Sequence, residues 1–128
     1  MKTYTKTIIV TEEDLDELNH VNNVRYVQWV NDIAKAHWLK NTSKAIFEAY
    51  FWVLLSHTIN YKKPALLGDE ILLKTYVTKA DGVTSTRKVD IYNKASNTLL
   101  ASSETKWCFL SHSTLKPTRI TEDIKARF

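Results

Sequence analysis

The sequence predicts an α+β fold in which one antiparallel sheet of five strands curls around a single long helix. Three observations carry that expectation. From Asn22 to Lys40 the apolar residues Val24, Val27, Val30, Ala34 and Trp38 recur at spacings of three and four, the period of a helix laid on a core. On both sides of this segment the period drops to two, as in strands whose side chains alternate between faces. One strand, one helix and then four strands in succession let a sheet wrap the helix.

Taken in order, Tyr4 to Thr11 is β-branched and partly alternating and makes a first strand. Glu12 to His20 is acidic and irregular. The helix over Asn22–Lys40 can be capped by Asn22 or Asn23, whose short amide accepts a hydrogen bond from a first-turn N–H, and Asn41-Thr42-Ser43 closes it. From Tyr50 to Tyr61, Phe51, Val53, Leu55, His57, Ile59 and Tyr61 fall on one face and Trp52, Leu54, Ser56, Thr58 and Asn60 on the other, so both faces are expected to be largely covered. Pro64 and Gly68-Asp69 break this strand, and Glu70 to Lys79 makes the next. Ala80-Asp81-Gly82 reads as a hairpin turn. Val83 to Tyr92 and Leu99 to Ser111 are the last strands, separated by the polar Asn93 to Asn97. After Pro117, Thr118 or Thr121 can start a turn or two of helix. Such a sheet keeps a long open edge, and a homodimer or homotetramer is the simplest way to cover it.

At 128 residues the chain has the size of one domain, residues 1–128, and its 44% hydrophobic and 25% charged residues suit a folded soluble protein. The longest apolar run, Phe51 to Leu55, is far short of the roughly 20 residues of a membrane-spanning helix. With no signal-peptide core at its start, the chain is expected in the cytoplasm. The single Cys108 can form no internal disulfide, and between Trp107 and Phe109 it reads as core filler. His20, His37, His57 and His112 are too widely spaced to suggest a metal site. The net charge of +4 favours an anionic partner. Its spread along the chain lacks the clustered stripe of nucleic-acid binders, and a phosphate-bearing coenzyme or an acidic carrier protein would be served by it as well as RNA would.

The densest polar stretch is Asp14-Leu15-Asp16-Glu17-Leu18-Asn19-His20-Val21-Asn22-Asn23, which runs straight into the helix. Carboxylates and a histidine stand beside free backbone N–H groups and the positive end of a helix dipole. Those N–H groups can hold an oxygen that gains negative charge in acyl transfer, while a carboxylate attacks the carbonyl or activates water. The plainer alternative is that the acidic residues only complement the dipole.

Asp14 to Trp29, DLDELNHVNNVRYVQW, resembles the signature of the hotdog-fold acyl-CoA and acyl-ACP thioesterases, the 4-hydroxybenzoyl-CoA thioesterase-like group. That signature reads Asp, three residues, His-Val-Asn-Asn and then Tyr; Asp16, His20, Val21, Asn22, Asn23 and Tyr26 fall in register. Tyr61-Lys62-Lys63-Pro64, Gly68-Asp69 and Lys116-Pro117 extend the likeness over most of the chain. The resemblance implies hydrolysis of an acyl thioester at a subunit interface, with no cofactor beyond the coenzyme A of the substrate. It makes Asp16 the nucleophile or general base. Backbone N–H groups around Asn23 polarise the carbonyl, His20 and Asn22 shape the site, and Tyr26 holds the helix against the sheet.

Asn19 replaces the glycine of many bacterial relatives and is the next residue most willing to take positive φ. Plant acyl-ACP thioesterases carry an asparagine where Leu18 stands here and a glutamate near Pro64, so their full catalytic set is absent. His57 is a candidate substrate contact whose plainer reading is a satisfied core histidine. Arg87 and Lys88 are candidates for coenzyme A phosphates, with solvated strand residues as the alternative. The four tryptophans read as core and interface residues, some of which can line an acyl tunnel. The alternatives to an acyl-CoA hydrolase are an acyl-ACP thioesterase and a non-catalytic acyl-thioester binding module. The histidine motifs of hotdog dehydratases are absent.

Overall fold

In the computed structural model, which describes residues 2–128, the alternating segments form one five-stranded sheet. The strands are β1 (Tyr4–Ile9), β2 (Tyr50–Tyr61), β3 (Glu70–Asp81), β4 (Thr84–Asn93) and β5 (Thr98–Ser111). Every pairing is antiparallel, and the order across the sheet is β1-β3-β4-β5-β2. The concave face holds Ile71, Leu73 and Thr75 of β3, Arg87, Val89 and Ile91 of β4, and Ala101, Ser103, Thr105 and Phe109 of β5, all buried. Against it lies α1 (Asn23–Lys40), 18 residues and roughly 27 Å long.

The helix has the expected extent, and Val30, Ala34 and Trp38 are buried as the spacing suggested, but in its first turns a different face meets the sheet. Val24 is 71% exposed, and the inward stripe is Tyr26, Trp29, Val30, Ile33, Ala34, His37 and Trp38. Large aromatics outweigh valines in buried area, so they decide which face meets the sheet. Two apolar clusters result. One joins Tyr26, Trp29, Val30 and Ile33 to Ile71, Leu73, Val89 and Ile91; the other joins Trp38 to Phe109, Ile120 and Ile124. Each fully buried aliphatic or Phe side chain stabilises the fold by about 1.5–3 kcal/mol.

Asn41-Thr42-Ser43 does close α1, but it also opens an unexpected α2 (Lys44–Ala49), capped by the Ser43 hydroxyl, which accepts from the Ile46 N–H. The last helix, α3 (Glu122–Arg127), starts at Thr121, one of the two anticipated threonines, whose hydroxyl accepts from the Ile124 N–H. Arg127 ties it to the end of α1 by donating to the Asn41 carbonyl at 3.0 Å, while Asn41 Nδ2 donates to the Arg127 carbonyl at 3.1 Å.

β2 departs from expectation in two ways. It is an edge strand, and Val53, Leu54, Leu55 and Tyr61 are 42%, 38%, 54% and 45% exposed, so its faces are not both covered within one chain. A bulge also interrupts its alternation: Leu54 pairs with Trp107 and Ser56 with Lys106, leaving Leu55 as the extra residue. Trp52 and Leu54 before the bulge therefore share a face with His57, Ile59 and Tyr61 after it. Among the described residues no helix is long and apolar enough to cross a membrane.

Candidate active site

A one-turn 3-10 helix at Glu12–Asp14 follows β1, and the Asp14 carboxylate accepts from the Thr11 N–H at 2.9 Å. Leu15 and Val21 then pair as an antiparallel bridge, and the chain between them reverses within five residues. The Asp16 N–H donates to the His20 carbonyl at 2.8 Å and the Asn19 N–H to the Asp16 carbonyl at 3.1 Å. Asn19 sits at φ 59°, the left-handed conformation that asparagine tolerates best after glycine. In this turn Asp16 Oδ1 accepts from the N–H groups of Leu18 (2.9 Å) and His20 (3.2 Å). Its Oδ2 takes no hydrogen bond among the described residues, and the carboxylate is half-buried. The loop fixes one oxygen and leaves the other without a partner among the described residues.

The helix start is prepared just as tightly. Asn22 caps α1: its Oδ1 accepts from the Val24 N–H at 3.0 Å and its carbonyl from the Arg25 N–H at 2.9 Å. The Asn22 N–H goes to the Asp14 carbonyl and the Val21 N–H to the Ala65 carbonyl. The Asn23 N–H has no acceptor among the described residues, as the first N–H groups of a helix require. Tyr26, 3% exposed, receives the Ala65 N–H on its hydroxyl at 2.9 Å and meets Tyr61 edge-on at 5.3 Å. That bond anchors the helix to the segment after β2, and losing it would strand a buried N–H at a cost of about 1–3 kcal/mol. Burial raises the Tyr26 pKa, and the neighbouring Tyr61 and Asp69 add to the rise against the Ala65 hydrogen bond.

These pieces enclose a cleft of about 270 Å³ with Asp16, His20, Asn23 and Tyr26 on one side and Tyr61, Lys62, Lys63 and Pro64 on the other. Four of the residues expected at the site thus meet in one place. Asn19 and Asn22 hold the loop and the helix cap around it. A carboxylate oxygen, an unpaired N–H at a helix start and two lysines around one opening can polarise a carbonyl and activate a nucleophile beside it.

The family model of the thioesterase-like superfamily matches residues 10–128. The chain belongs to this superfamily. Its sheet wrapped around one long helix is the hotdog fold. The fold of this thioesterase-like chain is shared by Slr0204, a 1,4-dihydroxy-2-naphthoyl-CoA thioesterase from Synechocystis, with 18% identity, TM-score 0.84 and coverage of 98% of this chain and 95% of that one. It is shared by the SAV2348 protein of Staphylococcus aureus, solved in complex with CoA, at 19% identity, TM-score 0.86 and coverage of 98% and 81%. A DHNA-CoA thioesterase from Staphylococcus aureus follows at 22% identity, TM-score 0.79 and coverage of 93% and 81%. No curated protein matches the chain.

Three candidate contacts of the thioesterase-like chain lie outside the cleft. His57 Nε2 is 2.9 Å from Ser103 Oγ on the concave face, and burial lowers its pKa, the pattern of a satisfied core histidine. Lys88 points to the outer face, 3.7 Å from Glu104. Arg87 is 7% exposed, not a solvated strand residue, and reaches inward to His37 and Thr75. Conversely, Tyr61, Lys62, Lys63 and Pro64 line the cleft without having been singled out as site residues. Two adjacent cations and a proline at the end of an alternating strand were the available signal.

Proposed function

We propose that this member of the thioesterase-like superfamily hydrolyses an acyl-CoA to a free acid and coenzyme A. The observation that carries the reading is that Asp16, one of whose carboxylate oxygens is free, and Asn23, whose N–H is unpaired, line the same cleft. The thioester oxygen accepts from the Asn23 N–H, which strengthens as negative charge develops on it. Asp16 then acts in one of two ways. It attacks the carbonyl carbon, the C–S bond breaks, thiolate departs, and water hydrolyses the acyl-aspartyl anhydride. Alternatively it takes a proton from water, whose oxygen attacks the carbonyl, and the departing thiolate collects that proton. His20 borders the reacting carbonyl. Lys62 and Lys63 supply positive charge beside the cleft for the coenzyme A phosphates, and the CoA bound by the SAV2348 protein supports that class of thiol.

Thiol release from a panel of short, long and aromatic acyl-CoAs, followed with a chromogenic disulfide reagent, tests this. Saturable release is expected from at least one member. No release from any CoA ester, together with release from an acyl carrier protein ester, would replace coenzyme A by the carrier protein. Binding without release from either would make the chain a binding module.

The same reading includes a second copy of the chain. β2 is a 12-residue edge strand with apolar side chains in the open, and pairing it with another β2 satisfies its outer backbone groups and covers Val53 and Leu55. Light scattering is expected to give a dimer or tetramer mass for the wild type and a shift to monomer for Val53→Lys. A monomeric wild type at micromolar concentration would remove the second copy from the reading.

A further inference from the structure

Away from the Asp16 cleft, a second cavity of about 460 Å³ opens between α1 and the β4-β5-β2 side of the sheet. Its size is that of small-molecule sites. Trp38, Trp52, Trp107 and Phe128 wall it, and Arg87 and Asn31 are among its polar lining residues, with Lys35 and Lys125 as further cations. No lining residue is shared with the cleft, and Asn31 stands roughly 12 Å along α1 from Asn23.

Arg87 is the feature that calls for a ligand. Its guanidinium donates to His37 Nδ1 at 2.8 Å and Thr75 Oγ1 at 3.0 Å and lies 6.0 Å from the centre of the Phe128 ring. All three partners are uncharged. Among the described residues Arg87 makes no ion pair, and no Asp or Glu lines the cavity. Burial lowers its pKa to about 10, so it is still charged at neutral pH. Buried charges are normally paired, because an uncompensated one costs several kcal/mol. Asn31 adds a second open valence: its Oδ1 is buried with no hydrogen-bond partner, and the amide can present Nδ2 there instead.

We propose that this cavity binds an organic carboxylate with an apolar or aromatic body, the carboxylate forking onto Arg87 and the body lying against the tryptophans. A planar guanidinium matches a carboxylate through two parallel hydrogen bonds, and a water-poor wall strengthens the pair. Two sources share this chemistry: a free acid, and a carboxylate at the far end of an acyl thioester. The second rests on the hydrolase reading; the first does not.

Three of the four tryptophans line the cavity, so their emission reports occupancy. The intact protein is titrated with octanoate and 3-phenylpropionate, and with octanamide and 3-phenylpropionamide as uncharged controls. The acids are expected to give a saturable change, with the amides weaker by about tenfold or more. Arg87→Met is expected to abolish the acids' advantage and Arg87→Lys to keep part of it. Equal response to acids and amides, or no response to either, overturns the proposal in the wild type alone, whatever the folding of the variants. Thiol release from suberoyl-CoA against octanoyl-CoA separates the sources. Preference for the suberoyl ester, lost in Arg87→Met, assigns the far end of an acyl group, whereas equal rates with acid binding intact assign a free acid. Failure to hydrolyse any thioester would sink the hydrolase reading and leave the fluorescence result to stand on its own.

Discussion

Asp16→Asn is expected to lower kcat/KM for thiol release on the order of 10²- to 10⁴-fold while leaving the folded chain in place. The asparagine keeps an Oδ1 that can accept from the Leu18 and His20 N–H groups, so the reversal between Leu15 and Val21 persists. What disappears is the second carboxylate oxygen, replaced by an amide nitrogen that neither attacks a carbonyl nor accepts a proton from water. A rate measurement paired with a circular-dichroism melt separates lost chemistry from lost structure. Turnover close to wild type would move the chemistry to Glu17 or His20.

The second large effect is on stability. His37 is 1% exposed, stacked on Tyr4 at 5.5 Å and edge-on to Phe128 at 4.9 Å, and its Nδ1 accepts from Arg87. A proton on that nitrogen would set two donors face to face and two positive charges side by side. Burial first, then the Arg87 and Lys2 charges, lower its pKa from 6.5 to about 4. As pH falls from 6.5, the unfolded chain therefore takes up the proton before the folded one does. The contribution from neutral His37 is whole above pH 6.5, shrinks as pH falls through the window, and is gone below 4. A gap of this size corresponds to about 3 kcal/mol. Urea unfolding at pH 7.5 and 4.5 is expected to show most of that loss. His57 shifts in the same direction, so the comparison with His37→Gln, whose amide oxygen can still accept from Arg87 without titrating, isolates the His37 share. An equally steep pH dependence in that variant would rule His37 out as its source.

Much of the sheet was legible because strand alternation and turn chemistry are local. Ala80 to Gly82 marked the β3–β4 hairpin, though β3 runs on to Asp81 and the turn is made at Gly82, φ 60°. The meeting of Asp16, His20, Asn23 and Tyr26 was legible from their spacing in the resemblance. The buried side of α1 was legible at Val30, Ala34 and Trp38 but not in its first turns, where Val24 and Val27 continue that stripe as regularly as Tyr26 and Trp29 do and only the sheet chooses between them. Arg87 gave no local sign of burial either. It alternates correctly with Ser85 and Val89, yet arginine in a strand usually faces water, and its inward position depends on His37 and Thr75, 50 and 12 residues away. Lys62 and Lys63 acquire their place beside Asp16 through their own N–H bonds to the Leu100 carbonyl, the His20–Leu66 bridge and the hydrogen bonds that join Ala65 to Val21 and Tyr26, all between residues distant in sequence.

The extra residue in β2 has a genetic corollary. Leu55 is unpaired and more than half exposed, so by contact alone it would count among the most dispensable positions in the chain. The pairing register says the same, because the residues on either side of it face consecutive residues of β5. In-frame loss of its codon would let Leu54 and Ser56 pair with the adjacent Trp107 and Lys106 without a bulge, so His57, Ile59 and Tyr61 would keep the inward face and Tyr61 its contact with Tyr26. A change of length at a paired position further along β2 would instead send every later side chain of the strand to the other face.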